Sequence, residues 1–396
     1  VLRAAAPDAE LMAVVKSDGY GHGLVPVASA AVDAGATWLG ATTLAEALTL
    51  RDAGITARVL SWLHGPAEDF TEAVQAGIDL SVSSPAHLDA IVAGARRAGG
   101  RARLHLEVDT GLSRGGARLE EWVELLDAVE RAVEEGTVEV VAVWSHLSHA
   151  DDPRHPTLDL QAERLTEAWQ AARERGMRPI RHLASSAAIM ARPDLHFDLV
   201  RAGIALVGLD PFDRSPAESP FRPAMALRTR VVDVREVAAG AGVSYGHEWT
   251  AERDSVLARL AIGYGDAPFL GARGSRVLVG GEQRPVVGSA SMDQLMVDLG
   301  PGNPTGVRAG DIAVVFGPGD HGEPTLHDLA ELSPDADVVR IAGSVQGDRV
   351  RRTYSGDAAS PSSAASHRAA DELRNEMRTR GSRLRRRGCS GQWPGS

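Results

Sequence analysis

The first half of the chain repeats one pattern, a short unbroken apolar run followed by a longer alanine-rich segment whose apolar positions recur at helical spacing. Runs of the first kind at residues 11–15, 38–41, 59–62, 80–83, 103–108, 140–145, 180–184 and 199–202 predict strands. Segments of the second kind at 24–34, 44–53, 85–98, 119–135 and 160–175 predict the helices between them. Strands and helices alternating in this number predict a (β/α)8 barrel of the TIM type, with a doubly wound open sheet as the alternative. After Asp210-Pro211-Phe212 the helical spacing stops. Short β-prone runs at 226–234, 256–262, 276–279, 286–287, 295–299 and 312–316 are separated by turn signals such as Ala239-Gly240 and Gly280-Gly281. This pattern predicts a C-terminal, mainly-β domain. The expected division is a barrel over 1–212, a β-domain over 213–356 and a tail over 357–396. That tail is rich in serine and alanine, then in arginine, and is expected to be disordered and without function.

Composition narrows the class. A chain of 396 residues can bury a large core, and 43% hydrophobic with 24% charged residues is ordinary for a globular protein. A net charge of −11 argues against a nucleic-acid partner for the chain as a whole. Cys389 is the only cysteine, which excludes an internal disulfide framework and fits a reducing compartment. No stretch reaches the apolar length of a membrane span, so no membrane partner is expected and the cytoplasm is the expected location.

The most informative residue is Lys16, the only lysine among 42 lysines and arginines. It closes the first apolar run and opens the glycine-rich loop KSDGYGHG. Arginine supplies charge as well as lysine does, but only a lysine amine loses its proton readily and attacks a carbonyl. The glycines at 19, 21 and 23 are spaced wrongly for a dinucleotide loop, and a plain connection would not need lysine, tyrosine and histidine together. At the C-terminal end of a first barrel strand, Lys16 is placed for Schiff-base chemistry, with Tyr20 able to donate to a phosphate. The run WSHLSHADD holds His146, His149, Asp151 and Asp152, with His155 close behind. Neither their spacing nor any distant partner forms a recognised ligand set, so no metal is expected.

AVVKSDGYGHG resembles the pyridoxal-phosphate lysine motif of the alanine racemases. The resemblance continues in family order through HLEVDTGLSRGG, VWSHLSHADD, HLASSAA, FDLVRAGIALVG, GVSYGHEW, IGYGD and SMDQLMVDL, covering roughly residues 1–320. It implies an N-terminal barrel with a C-terminal β-domain, pyridoxal 5'-phosphate as cofactor, and interconversion of L- and D-alanine, the D-form being a wall precursor. It also implies a homodimer with the active site shared between subunits. Lys16 would hold the cofactor as a Schiff base and serve as one base, and Tyr245 of the partner subunit would be the base on the opposite face. A racemase needs a base on each face, because one removes the α-proton and the other returns it. Arg201 would face the pyridine nitrogen, where a guanidinium does not readily give up a proton; the alternative is a surface ion pair with Asp198. His146 would bond to that tyrosine and arginine. Tyr20, Ser186, Gly203 and Ile204 would cradle the cofactor phosphate, while Arg114 and the backbone of Met292 would meet the substrate carboxylate. A packed β-domain aromatic is the alternative for Tyr245.

Three departures from the family pattern qualify these expectations. Glu107 stands where many members carry a carbamylated lysine, and it is expected to supply the same negative charge and position Arg114. Counting back from RVRR places Arg340 where the family has a phosphate-binding tyrosine. The family's opening strand and helix have no counterpart in the sequence. The competing functions are a non-catalytic pyridoxal-phosphate-binding protein or decayed paralogue, and, further off, a barrel decarboxylase. Strict preference for alanine over other small amino acids stays open.

Overall fold

The computed structural model describes residues 1–65, 67–333 and 337–345. Its first eight strands are β1 (Glu10–Val14), β2 (Trp38–Ala41), β3 (Arg58–Ser61), β4 (Asp79–Val82), β5 (Ala102–Glu107), β6 (Val138–Trp144), β7 (Ile180–His182) and β8 (Leu199–Ala202). They lie parallel in the order β7-β6-β5-β4-β3-β2-β1-β8. Between the two ends of that order, Asp198 N donates to Arg181 O (3.2 Å) and Arg201 N to Ala184 O (2.9 Å), closing the seam. Every residue of β2, β4 and β8 is buried. Barrel strands are covered on both faces, which is why they read as unbroken apolar runs.

The outer helices show the complementary pattern. Helix Pro85–Ala98 starts at Ser84, whose side chain accepts from His87 N, and ends at left-handed Gly99. Its Leu88, Ile91, Val92 and Ala95 form the stripe that faces the barrel. Trp122–Glu134 buries Trp122, Leu125, Leu126, Val129 and Ala132 in the same way. The helix expected over 119–135 opens instead with a separate 3-10 turn at Leu119–Glu121. Helix Thr71–Gln75, between β3 and β4, was not foreseen, because five residues do not display a helical period.

The second half is a closed antiparallel barrel of six strands. These are β9 (Leu227–Val237), β12 (Ser255–Leu260), β13 (Arg276–Val279), β14 (Glu282–Val287), β15 (Leu295–Gly300) and β16 (Ile312–Phe316), ordered β12-β15-β14-β13-β16-β9. Alternate residues such as Val277 and Val279, or Leu295, Val297 and Leu299, fill its core. Between β9 and β12 a hairpin of β10 (Gly242–Val243) and β11 (Trp249–Thr250) carries Tyr245 in its connection. Helix Val338–Gly343 returns to the first barrel and packs on the loop after Lys16. There Gly21 has φ 81°, and a Cβ would come within 2.9 Å of Ala342 O. Residues 346–356 of the expected β-domain and the expected tail over 357–396 lie outside the described residues.

Candidate active site

Lys16 follows β1 at the C-terminal mouth of the barrel. Ser17, Asp18, Gly19 and Tyr20 after it are all left-handed, with φ of 54°, 55°, 63° and 54°. Each non-glycine residue in that conformation costs roughly 1–2 kcal/mol, so the turn needs external support. Gly19 N donates to Val15 O (2.8 Å), Gly23 N to Asp18 O (2.7 Å), and Leu24 N to the Asp18 carboxylate (2.7 Å). Ser17 N donates to Glu46 Oε1 (2.7 Å). The same carboxylate completes the capping box of helix Leu44–Asp52, its Oε2 accepting from Thr42 N (2.9 Å) and Thr43 N (3.3 Å). The left-handed turn brings Tyr20 back over the strand, its ring centroid 5.9 Å from Lys16 Nζ. The Tyr20 hydroxyl lies against Gly203, where a Cβ would collide with it.

Burial, followed by Arg114 and Arg201, lowers the pKa of Lys16, with Glu46 opposing. Burial pushes Tyr20 up to about 12, so its hydroxyl stays a donor. Arg114 sits exposed on the loop after β5. Asp109 shapes that loop by accepting from Gly111 N (2.9 Å) and Ser113 N (3.0 Å), and Arg164 Nη1 donates to Thr110 O (2.9 Å). Gln161 donates to both Thr110 Oγ1 (3.2 Å) and His146 O (3.0 Å), tying this loop to the one after β6. Glu107 ends β5 and takes a hydrogen bond from Ser81 Oγ (3.4 Å). Burial raises its pKa to about 7 against the pull of Arg201 and Arg114. Its negative charge is therefore fully present only above neutrality, which refines the fixed charge expected from sequence.

Arg201, on β8, is 5% exposed. It donates to Ser145 O (2.8 Å), His146 Nδ1 (3.1 Å) and His182 Nδ1 (3.0 Å), and its guanidinium stacks 5.0 Å from the Trp144 ring centroid. Asp198, the alternative partner, accepts instead from Arg181 N (2.7 Å). Burial lowers the Arg201 pKa to about 10, which still leaves it a cation at neutral pH. His146 is pushed down to about 3 by burial and then by Arg201, Arg114 and Lys16, and so it is neutral. Gly203 N donates to Ser186 Oγ (2.9 Å), and Ile204 opens the 3-10 turn Ile204–Val207. His149 and His155 stack on one another at 3.8 Å. Among the described residues no group of three or more histidines, cysteines or acids is arranged to hold a metal.

Tyr245 and Met292 belong to the other domain and project into solvent, 73% and 57% exposed. Their backbone is nevertheless held firmly. Ser244, at φ 64°, donates through Oγ to Ser289 O (2.5 Å), and Ser289 Oγ donates to Tyr245 O (3.1 Å). Gly265 N donates to Met292 O (2.9 Å). Arg340 is exposed on helix Val338–Gly343, its guanidinium 3.7 Å from Asp337.

The structure thus gathers Lys16, Tyr20, Arg114, His146, Ser186, Gly203 and Ile204 at the loops that follow β1, β5, β6, β7 and β8, with Arg201 on β8 itself, and carries Tyr245 and Met292 on the second domain. It adds two residues that sequence reasoning missed. Glu46 was findable, since Thr43-Leu44-Ala45-Glu46 is a capping-box spacing. His182 was not, since its motif was read only for its serines. An amine of lowered pKa, a glycine surface that only a side chain without Cβ can offer, hydroxyl donors beside it and a buried guanidinium fit an aldehyde cofactor that carries a phosphate.

Comparison with known proteins points the same way. The family models described as "Alanine racemase, N-terminal domain" and "Alanine racemase, C-terminal domain" match residues 1–211 and 224–354. The alanine racemase of Salinispora arenicola is 51% identical over 353 residues, covering 88% of this chain and 93% of that protein. That of Mycolicibacterium smegmatis is 47% identical over 356 residues, covering 89% and 90%. The crystal structure of alanine racemase from D-cycloserine-producing Streptomyces lavendulae superposes with a TM-score of 0.84 at 44% identity, covering 90% of this chain and 93% of that one. The Bacillus anthracis alanine racemase with bound L-Ala-P gives 0.76 at 32% identity, covering 87% and 88%.

Proposed function

The chain belongs to the alanine racemase family, and from that premise we propose which of its residues carry the pyridoxal-phosphate-dependent interconversion of L- and D-alanine. Bound pyridoxal phosphate supplies a carbonyl for amines to join and a ring that spreads the charge left when the α-proton departs. Lys16 would hold that carbonyl, and its Nζ would take or return the α-proton on one face, its lowered pKa making the neutral amine accessible. Tyr245 of the partner subunit does the same on the opposite face. Tyr20, Ser186, Gly203 and Ile204 would seat the phosphate, the last three from the loops after β7 and β8, where barrels of this type bind it. Arg201 would face the ring nitrogen and, still a cation, would not readily give it a proton. Arg114 orients the substrate carboxylate, assisted by the backbone of Met292 of the partner subunit, and Glu107 balances Arg114 when ionised.

The observation that carries this reading is the contrast in setting between its two bases. Lys16 lies inside a finished hydrogen-bonded mouth, while Tyr245 is fixed in backbone yet turned to solvent on the far domain. A rigidly presented side chain with no partner in its own subunit is what a second copy can use, which supports a homodimer. Complementation tests it. Lys16→Ala and Tyr245→Phe proteins each retain about 1% of activity or less, and after subunit exchange about a quarter of wild-type activity returns, because one site in each mixed dimer is intact. No recovery in demonstrably mixed dimers would place both bases in one subunit. Among the described residues no helix is long and apolar enough to cross a membrane. A single cysteine suits a reducing compartment, and on that ground we place the enzyme in the cytoplasm.

A further inference from the structure

Behind Arg201 a line of polar side chains runs down through the barrel. Arg201 Nη1 meets His182 Nδ1 (3.0 Å), His182 Nε2 meets His105 Nδ1 (2.9 Å), and His105 Nε2 meets Asp79 Oδ2 (3.2 Å). His105, His182 and Asp79 are wholly buried. Asp79 opens β4 at the foot of the barrel, where Arg103 Nε (2.5 Å) and Arg58 Nη2 (2.6 Å) grip its two oxygens. Three tryptophan contacts wall the line. Trp144 stacks on His182 at 5.5 Å and 11°, Trp38 meets His105 edge-on at 5.3 Å, and Trp144 Nε1 is tied to Ser81 Oγ (3.1 Å).

The chemistry of the two ends fixes every proton in between. A guanidinium only donates, so His182 Nδ1 accepts and its Nε2 carries the hydrogen. That hydrogen is donated to His105 Nδ1, leaving the His105 hydrogen on Nε2 and aimed at a carboxylate that only accepts. Burial keeps both imidazoles neutral, with Arg201 and His105 adding to the effect at His182. Asp79 stays ionised despite its burial because His105, Arg58 and Arg103 stabilise the charge. All hydrogen bonds therefore point one way, from the mouth to the foot, and each polarises the next.

We propose that Asp79 and His105 are positioning residues for racemisation, holding Arg201 in its cofactor-facing orientation through His182 from the opposite end of the barrel. This inference rests on the assignment of Arg201 to the cofactor ring. Neither residue touches substrate or cofactor; they act by leaving Arg201 one permitted arrangement of donors.

The test uses the pyridoxal-phosphate-loaded enzyme. Nitrogen-15 spectra of its imidazoles are expected to show His105 and His182 neutral and protonated at Nε2 at neutral pH. In Asp79→Asn and His105→Phe, kcat is expected to fall roughly tenfold or more with KM for alanine changed less than about twofold, the loss of one charge-assisted hydrogen bond acting on the reacting ring. The visible band of the bound cofactor is expected to shift in both. Variants that melt earlier but keep kcat, cofactor band and His182 tautomer would make the line merely structural and overturn the proposal. So would an imidazolium or an Nδ1-protonated ring in the wild type, a result that needs no variant to fold. Arg201→Gln separates the two assignments. If it too leaves the cofactor band and kcat unchanged, the reading of Arg201 fails; if it changes them and the other variants do not, only the relay fails.

Discussion

Arg201 and Tyr245 stand at opposite extremes of burial, 5% and 73% exposed, although both are assigned to one reaction. Three of the arginine's N–H donors go to Ser145, His146 and His182 of its own chain, and a tryptophan covers its face. The tyrosine's backbone is pinned by Ser244 and Ser289, but its ring has solvent around it. The barrel half of the site is thus finished by folding alone, whereas the β-domain half is a presented fragment that awaits a complement. Strain is distributed accordingly. Both Ser17 and Ser244 have positive φ, yet the first lies on the hydrogen-bonded turn at the barrel mouth and the second on the hairpin of the second domain.

The sharpest way to break this comparison is at the lysine. Lys16→Arg keeps a charge and is expected to fold, but racemisation should drop by more than about a thousandfold, since arginine neither joins a carbonyl nor returns a proton at working pH. Chiral analysis of L-alanine in deuterated water, together with the visible cofactor band, reads this out. Tyr245→Phe should lower kcat by roughly a hundredfold or more with thermal stability unchanged, because an exposed hydroxyl supports nothing in its own subunit. Arg201→Ala contrasts with it. Activity should fall and stability should fall with it, by about 2 kcal/mol, because His182, His146 and Ser145 lose their donor in the interior. A Tyr245 variant that melted earlier than the Arg201 variant would reverse the assignment of finished and unfinished halves.

A smaller effect belongs to Glu107. Its folded pKa, about 7, is raised above the ordinary 4.5, so its contribution to stability is complete below pH 4.5 and is lost as the pH rises through 7. Glu107→Gln should therefore flatten the decline in melting temperature between pH 5 and 8, gaining most at the alkaline end. If Glu107 also balances Arg114, KM for alanine should rise in the variant above pH 7; an unchanged KM there would remove that role. The smallest effect is expected at Thr43→Ala, about 1 kcal/mol of stability from the lost helix cap, measured by denaturant unfolding.

How much of this was legible beforehand depended on how local each feature is. The bounds of β2 and β8 were readable to the residue because strands buried on both faces leave an unbroken apolar mark. The strands of the second barrel were readable as well, but β10 and β11, two residues each, leave no period to detect. At the site, Lys16 stood out because it is the only lysine, and the family motifs placed its companions. The line behind Arg201 was invisible, since it joins His105 to His182 across 77 positions and to Asp79 across 26. Nothing in a linear pattern distinguishes a histidine that bonds across the barrel from one that merely fills it. The refined charge of Glu107 had the same origin, because its desolvation comes from strands distant in sequence.

The single carboxylate of Glu46 ties together amides from two separate segments, Ser17 and Asp18 on the lysine loop and Thr42 and Thr43 before the helix. Solvent hydrogen can reach these amides only when that carboxylate lets go. Measured by native-state exchange, the four should open as one cooperative unit with a common free energy, so that loosening a helix start on one connection registers directly as exchange beside Lys16 on another.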